Sequence, residues 1–436
     1  MATPMAPASL YRDKAGLGVW EHRGKVAAVG IGHSPIDRRW DLRPETSIGA
    51  YTLIAIQKAL DDAGVKAEDV DGLVVVPTTT TASLWSPRPI PEDFARTFKL
   101  TDNPDDGITA MSAAFIVANM PELKNVKTAF HSGGCMSNAI VVAAQVVGSG
   151  MANVCLVVRG WDNLPGRYHA NPTVAATGNS QWSDTWGFNS AGTPYAYAFQ
   201  KYCEKYGSNH DRMAPFIVNQ RRNGLMFPEG FYAQHEQYQI TVEDYLNARW
   251  LCKPLCLFDA DRPVQTAAAY VFATADRAKD MKQTPVYILN HSSHRPRSRS
   301  SVQSLEEIEA STDMMAQLSY EGSGLTPRDI DVFNPYDGYT LFTQYYLEAY
   351  QWHGVKRGEA HDFYAGNITV EGPHPFSSSG GNSGNGRTRF WMHTDCIQQL
   401  QGRAGQRQVH IKAETAISGG PTPGSGDWTV WSKNPD

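Results

Sequence analysis

The segment Gly64-Val-Lys-Ala-Glu-Asp-Val-Asp-Gly-Leu-Val-Val75 returns about 260 residues later as Gly324-Leu-Thr-Pro-Arg-Asp-Ile-Asp-Val-Phe-Asn-Pro335. Each copy follows a helical pattern that stops at or near its glycine, the residue that most readily ends a helix in the left-handed conformation. Each also carries Asp-x-Asp before or within an apolar stretch. One folding unit used twice constrains the chain strongly. It predicts a duplicated α/β core with a site between its halves.

The rest of the pattern fills in that core. Residues 26–32 predict a buried first strand, and 46–63 a helix closed by Gly64. Strands are expected over 72–76, 126–130, 154–158 and 286–289. The turn His131-Ser-Gly-Gly-Cys-Met-Ser137 leads into a helix over 138–147. This strand–turn–helix–strand order implies parallel pairing. Further helices are predicted near 110–119, 304–318, 340–350 and 389–399, an Ala-rich one over 267–278, and a strand over 408–415. Residues 161–255 are aromatic, polar and poor in strand signals, with helical stretches near 196–206 and 211–223. They read as a loop domain inserted over the site. The expected division is an arm over 1–25, a first half over 26–280 that includes the insertion, and a second half over 281–436.

At 436 residues the chain is long enough for two joined domains. Its net charge of −5 argues against a nucleic-acid binder. No apolar run approaches the roughly 18–20 residues of a membrane span. The N-terminus lacks the charged-then-apolar design of a signal segment and reads as a tail or surface arm. Six cysteines without a regular framework fit a reduced, cytoplasmic setting. Cys252 and Cys256 lack two further ligands in similar order, so no metal site is expected. His291 and His294 also lack a third ligand, and the basic run 295–299 reads as a solvated loop.

Several motifs together resemble the thiolase superfamily over nearly the whole chain. They are Val29-Gly-Ile-Gly-His33, Ser132-Gly-Gly-Cys135, Val157-Val-Arg-Gly160, Phe258-Asp-Ala-Asp-Arg-Pro263, Asn334-Pro-Tyr-Asp-Gly338, Gly372-Pro-His-Pro375 and Ser379-Gly-Gly-Asn382. The branch it is most similar to is the sterol-carrier and lipid-transfer type, with the steroid side-chain aldolases derived from it. The resemblance implies a five-layer α-β-α-β-α sandwich of two similar halves, and a homodimer.

The departures from that family concern its chemistry. A thiolase of this branch uses a nucleophilic cysteine and two histidines. Here the His-Asp position reads Tyr336-Asp337, the Gly-His-Pro region reads Gly372-Pro-His374-Pro375, and the second cysteine region reads Ser418-Gly419-Gly420. Cys135 remains before the first helix, where it is either a nucleophile or a packing residue. Tyr336 is the first candidate for chemistry: a phenol there can take a proton from a β-hydroxyl or hydrogen-bond a developing oxyanion. Tyr339 lies three residues on and faces either the same side or the core. Asp337 is a candidate that equally suits turn-making. His374 and His131 are histidines near the expected site. Gly133, Gly134, Gly380, Gly381, Asn382 and Gly419 line the two glycine turns and the Gly-Gly segment, where backbone N–H groups can approach a ligand.

These substitutions imply an aldolase, a carbon–carbon lyase that cleaves a β-hydroxyacyl-CoA bearing a steroid or other bulky ring into a ketone and a short acyl-CoA. The coenzyme A thioester is then substrate, and no metal or organic cofactor is implied on this chain. The resemblance also implies a small partner protein with an OB-fold and zinc ribbon. Two readings compete: a lipid-transfer-type thiolase or acyltransferase using Cys135, and a non-catalytic acyl-CoA-binding scaffold.

Overall fold

The computed structural model describes residues 18–76, 82–83, 86–87, 107–108, 111–133, 135–161, 181–182, 184–186, 192–294, 303–420, 422 and 426–436. Its main sheet contains β1 (Val26–His33), β2 (Gly72–Val76), β3 (Thr128–His131), β4 (Val154–Trp161), β5 (Thr266–Thr274), β6 (Val286–His294), β7 (Val332–Pro335), β8 (Thr415–Gly419) and β9 (Gly426–Ser432). Their spatial order is β7-β8-β9-β6-β1-β5-β4-β2-β3. Read outward from the centre, β1-β5-β4-β2 and β6-β9-β8-β7 are the same arrangement. Only Ala27–Tyr287 and Ala28–Val286 register the two halves to each other.

The duplication reaches fine detail. The pairing of β1 with β5 slips between Ala28 and Gly30, and that of β6 with β9 slips between Ile288 and Asn290, the matching place in the second copy. Both β3 and β4 lie parallel to β2, as the strand–turn–helix–strand order requires. In the second half β8 lies parallel to β7. The counterpart of β3 is reduced there to a single parallel bridge between Phe333 and Phe376.

The principal helices are α1 (Ile48–Ala63), α2 (Ala113–Asn119), α3 (Met136–Gly148), α4 (Thr193–Tyr206), α5 (Ala214–Leu225), α6 (Leu305–Ser323), α7 (Thr343–Ala349), α8 (Gly381–Asn385) and α9 (Trp391–Gln401). The repeated segments show why the repeat was visible. Ser47 caps α1 and Gly64 ends it at φ 68°. Ser304 and Glu307 form a capping box on α6, and Gly324 ends it at φ 72°. The second aspartate of each Asp-x-Asp then starts a distant strand. Asp71 accepts from the Asn153 and Val154 N–H groups, and Asp331 accepts from those of Glu414 and Thr415.

Alternate residues of each strand point to opposite faces, and the cores divide accordingly. Ala27 and Val29 pack with α1 on one outer face. Val26, Ala28, Val157, Ile288, Ala416 and Trp431 enclose α3 and α9 in the middle. Phe333, Ile417, Trp428 and Val430 pack with α6 and α7 on the other outer face. Helix, sheet, helix, sheet, helix is the five-layer sandwich.

Two sequence expectations are corrected. The Ala-rich stretch over 267–278 is not one helix: Thr266–Thr274 is the central strand β5, followed by a single helical turn at Ala275–Ala278. Small side chains there let α1 lie close on the sheet, where a Cβ on Gly30 or Gly32 would collide with its backbone. The strand expected over 408–415 begins only at Thr415, and β9 was not foreseen. The 1–25 arm lies largely outside the described residues. Its last part is stitched to the second half, with Trp20 N–H donating to Gly322 O at 2.8 Å and Gly24 N–H to Ile288 O at 2.9 Å. Within the expected inserted domain, α4 packs against α6, and α5 against α8.

Candidate active site

The site is built on the turn that follows β7. The Tyr336 N–H donates to Gly419 O at 2.8 Å, tying the turn to the end of β8. The Tyr336 ring stacks on Phe342 at 5.9 Å between centroids and is 5% exposed. Its hydroxyl folds back over Gly338, whose missing side chain leaves the room. Burial pushes the phenol up to about 12, partly offset by Arg389, which also hydrogen-bonds it. Tyr339 is half-buried beside Tyr195, with ring centroids 5.0 Å apart. Burial and Asp261 raise its phenol as well.

Around these phenols stand three arginines and one aspartate. Arg159, Arg387 and Arg389 lie over the Trp161 ring at 4.7, 4.8 and 5.6 Å. Arg159 comes from β4 and is fully buried. Its guanidinium is lowered to about 9 by burial first and then by Arg389. Arg389 sits at φ 66°, a left-handed conformation uncommon for a side chain of its size. Burial opposes its charge, but Tyr336, Cys135 and Asp261 more than compensate, so its affinity for the proton is raised. Asp261 is 3% exposed, and neither of its carboxylate oxygens has a hydrogen-bond partner. Burial pushes its carboxyl up to about 8.

Cys135 caps α3 by position, without a side-chain cap bond. Its sulfur lies 4.0 Å from Asp427 Oδ2. Burial and then Asp427 raise the thiol, while Arg159 and Arg389 pull the other way. None of these groups is a histidine. The nearby His393 is held on both ring nitrogens, at 2.8 Å from Ser137 Oγ and 2.8 Å from Ser418 Oγ. Burial lowers it to about 3, so it is neutral. A raised thiol beside a carboxylate is the reverse of an activated cysteine.

Asp337 serves the glycine turn. It accepts from the Asn382 N–H at 2.6 Å, the Ser383 N–H at 3.2 Å and Gln220 Nε2 at 2.8 Å. A Cβ on Gly381 would collide with its carboxylate, and one on Gly224 or Gly380 would collide across the contact between α5 and the turn. Ser379, Gly380 and Gly381 direct their N–H groups to Asn334, Ser377 and Ser379. The expected N–H cradle at Gly380, Gly381 and Asn382 is therefore corrected: those donors hold the turn together. Gly419, at φ 153°, offers its carbonyl to Tyr336.

The other anticipated residues lie apart. His374 packs against His353, the rings tilted with centroids 4.1 Å apart. The parallel Phe333–Phe376 bridge puts His374 at the opposite end of β7 from Tyr336, roughly 15 Å along the strand. The structure does not bring it to the turn. His131 is exposed at the end of β3, and its Nε2 accepts from the Ala113 N–H at 3.3 Å. Gly133 is exposed, and Gly134 lies outside the described residues, as does the basic run 295–299. Among the described residues His210, Cys256 and Asp259 form one cluster of potential metal ligands. Asp259 there already bonds His210 at 2.7 Å, Tyr245 at 2.8 Å and Thr340 at 2.8 Å, which is a hydrogen-bonded core network. Sequence reasoning missed Asp261, Arg159, Arg387 and Arg389 as site residues. The first two lie within quoted motifs, but nothing in a single sequence marks a carboxylate as unpartnered.

A five-layer duplicated sandwich, with a buried turn at the end of β7 facing the start of α3, defines a thiolase-type fold. Residues 292–424 match the family described as thiolase C-terminal domain-like. The chain is 26% identical over 425 residues to the 17-hydroxy-3-oxo-4-pregnene-20-carboxyl-CoA lyase of Mycobacterium tuberculosis, covering 92% of this chain and 98% of that one. It is 26% identical over 377 residues to a steroid side-chain-cleaving aldolase of Thermomonospora curvata, covering 83% and 86%. Among solved structures, the Ltp2-ChsH2(DUF35) aldolase superposes with a TM-score of 0.76 at 22% identity, covering 94% of this chain and 98% of that one. Human mitochondrial 3-ketoacyl-CoA thiolase superposes with a TM-score of 0.61 at 13% identity, covering 95% and 99%. Over most of its length the chain is thus similar to a steroid-CoA lyase and a steroid side-chain-cleaving aldolase, on a thiolase-type fold.

Proposed function

We propose that this protein is a retro-aldolase that cleaves a β-hydroxyacyl-CoA, with a steroid side-chain CoA thioester as substrate, to a ketone and a short acyl-CoA. One observation carries the reading. The turn before α3 holds a thiol, Cys135, raised by burial and Asp427, while the turn after β7 holds Tyr336 beside Arg389. Retro-aldol cleavage needs no acyl-enzyme. The β-hydroxyl loses its proton, the Cα–Cβ bond breaks, and its electron pair enters the thioester as an enolate. Tyr336 and Arg389 supply donors to the oxygen on which that charge develops, a form of stabilisation strongest in a dry site. The relatives named for steroid lyase and aldolase activity support the same reading.

Two assembly proposals accompany it. A homodimer is supported by β3, an edge strand of alternating half-buried and exposed residues that pairs with β2 alone among the described residues; such edges are templates for further pairing. A small OB-fold and zinc-ribbon partner is supported by the exposed aromatics Trp182, Trp186, Tyr197 and Trp250. The superposing Ltp2-ChsH2(DUF35) aldolase is also named for two components. The working location proposed is the cytoplasm.

The test is product analysis with a β-hydroxy steroid side-chain CoA thioester, with the partner co-expressed. Ketone and short acyl-CoA release that survives Cys135→Ala and collapses in Tyr336→Phe is the expected result. Loss in Cys135→Ala alone would point instead to covalent acyl transfer.

A further inference from the structure

Asp261 stands out among the buried carboxylates. Asp259, Asp337 and Asp427 each accept several hydrogen bonds. Asp261 is as buried as they are, yet neither oxygen accepts one. Burying a carboxylate without partners is unfavourable, so a group left in this state is a candidate for work on a ligand.

Its placement is fixed from two sides. The Asp261 N–H donates to Gly338 O at 3.1 Å, and Ala260 bridges Tyr339, which lays Asp261 along the turn carrying Tyr336. On the other side Pro263 bridges Arg387, whose N–H donates to Arg262 O at 2.7 Å. The carboxylate is thus wedged between the phenols of Tyr336 and Tyr339 and the guanidiniums of Arg387 and Arg389, with Asp337 as the nearby like charge.

We propose that Asp261 is the catalytic proton acceptor, taking the β-hydroxyl proton of the substrate; this rests on the retro-aldolase reading. The hydroxyl proton moves to an Asp261 oxygen, and the freed O–H electron pair forms the ketone carbonyl. The Cα–Cβ bond breaks and its pair forms the thioester enolate, whose oxygen is held by Tyr336 and Arg389. The proton on Asp261 then moves to the enolate α-carbon, giving the short acyl-CoA and restoring the carboxylate. The proton affinities agree with this division. A carboxyl near 8 exchanges a proton close to neutrality, whereas a phenol near 12 stays protonated and donates.

The experiment is the pH profile of retro-aldol turnover in wild type, Asp261→Asn and Tyr336→Phe. It is accompanied by thermal melting and by α-proton exchange of the short acyl-CoA product in deuterated water. Asp261→Asn is expected to melt at or above the wild-type temperature. Its kcat should fall about 100-fold or more, with a smaller change in KM. The ascending limb of the profile and the α-proton exchange should both be lost. A folded Asp261→Asn protein with wild-type kcat and an unchanged limb overturns the assignment while leaving the retro-aldolase reading standing. Loss of that limb in Tyr336→Phe with its retention in Asp261→Asn moves the acceptor role to the tyrosine. If Asp261→Asn fails to fold, Asp261→Glu keeps the carboxyl and is expected to retain the limb; a folded Glu variant without it also overturns the assignment. Wild type that cleaves no β-hydroxyacyl-CoA defeats the underlying reading itself.

Discussion

At the scale of single residues, the same neighbours act differently on a phenol, a thiol and a carboxyl. Tyr336→Phe removes one donor from the site and is expected to lower kcat about 100-fold or more, as measured by ketone release. Cys135→Ala removes a small buried group that has no histidine acting on it. It should leave turnover within a few-fold of wild type and cost about 1 kcal/mol in denaturant unfolding. Asp261 makes a prediction about stability. Its folded affinity for protons, near 8, exceeds the unfolded value of about 3.9. The native state therefore holds the proton longer. The favourable contribution is complete below about pH 4 and is lost as pH rises toward about 8. Asp261→Asn removes that slope, so its urea-unfolding free energy should gain on wild type through this window and level off above it, by at most about 6 kcal/mol. The positions of Tyr336 and Cys135 were legible in the sequence because they interrupt or keep a recognisable motif. Asp261 and the arginines were not. Their meeting depends on Arg159 from β4, Asp261 before β5 and the 387–389 segment folding onto one turn.

At the scale of elements, glycine and aspartate repeats were legible where their physics is local. The left-handed stops at Gly64 and Gly324 follow from the chain alone. The alanine strand did not, because alanine favours helix in isolation and only the close approach of α1 turns that stretch into a central strand. The glycine turn before α8 read as a pocket cradle, since sequence shows that glycines permit close approach but not to what. Here the approach is to α5 and Asp337. Gly384→Ala would place a Cβ against the Gln220 carbonyl and is expected to lower stability by about 1–3 kcal/mol, read by thermal melting, with activity falling as the turn shifts. Asp331→Ala leaves the Glu414 and Thr415 N–H groups without their acceptor and should cost about 1–3 kcal/mol, seen as faster amide exchange at the start of β8.

At the scale of the whole molecule, the duplication makes two halves with unequal edges. The first ends in the paired strand β3 and the second in a single bridge at Phe376. That asymmetry predicts assembly through the β3 side. Light scattering should return twice the 48.0 kDa chain mass, and a value near one chain mass would remove the proposed homodimer. The order of strands also bears on synthesis. Among the described strands of the sheet β1 comes earliest in the chain, yet it lies at the middle of the sheet, between β5 and β6. Its registered partners, Ala268–Thr274 and Val286–Tyr287, lie far downstream. A nascent chain must therefore carry an apolar strand with no partner until well past its midpoint. Such long-range pairing slows folding and leaves sticky surface exposed. Expression of this protein should accordingly be more sensitive to chaperone supply and translation speed than its melting temperature would suggest.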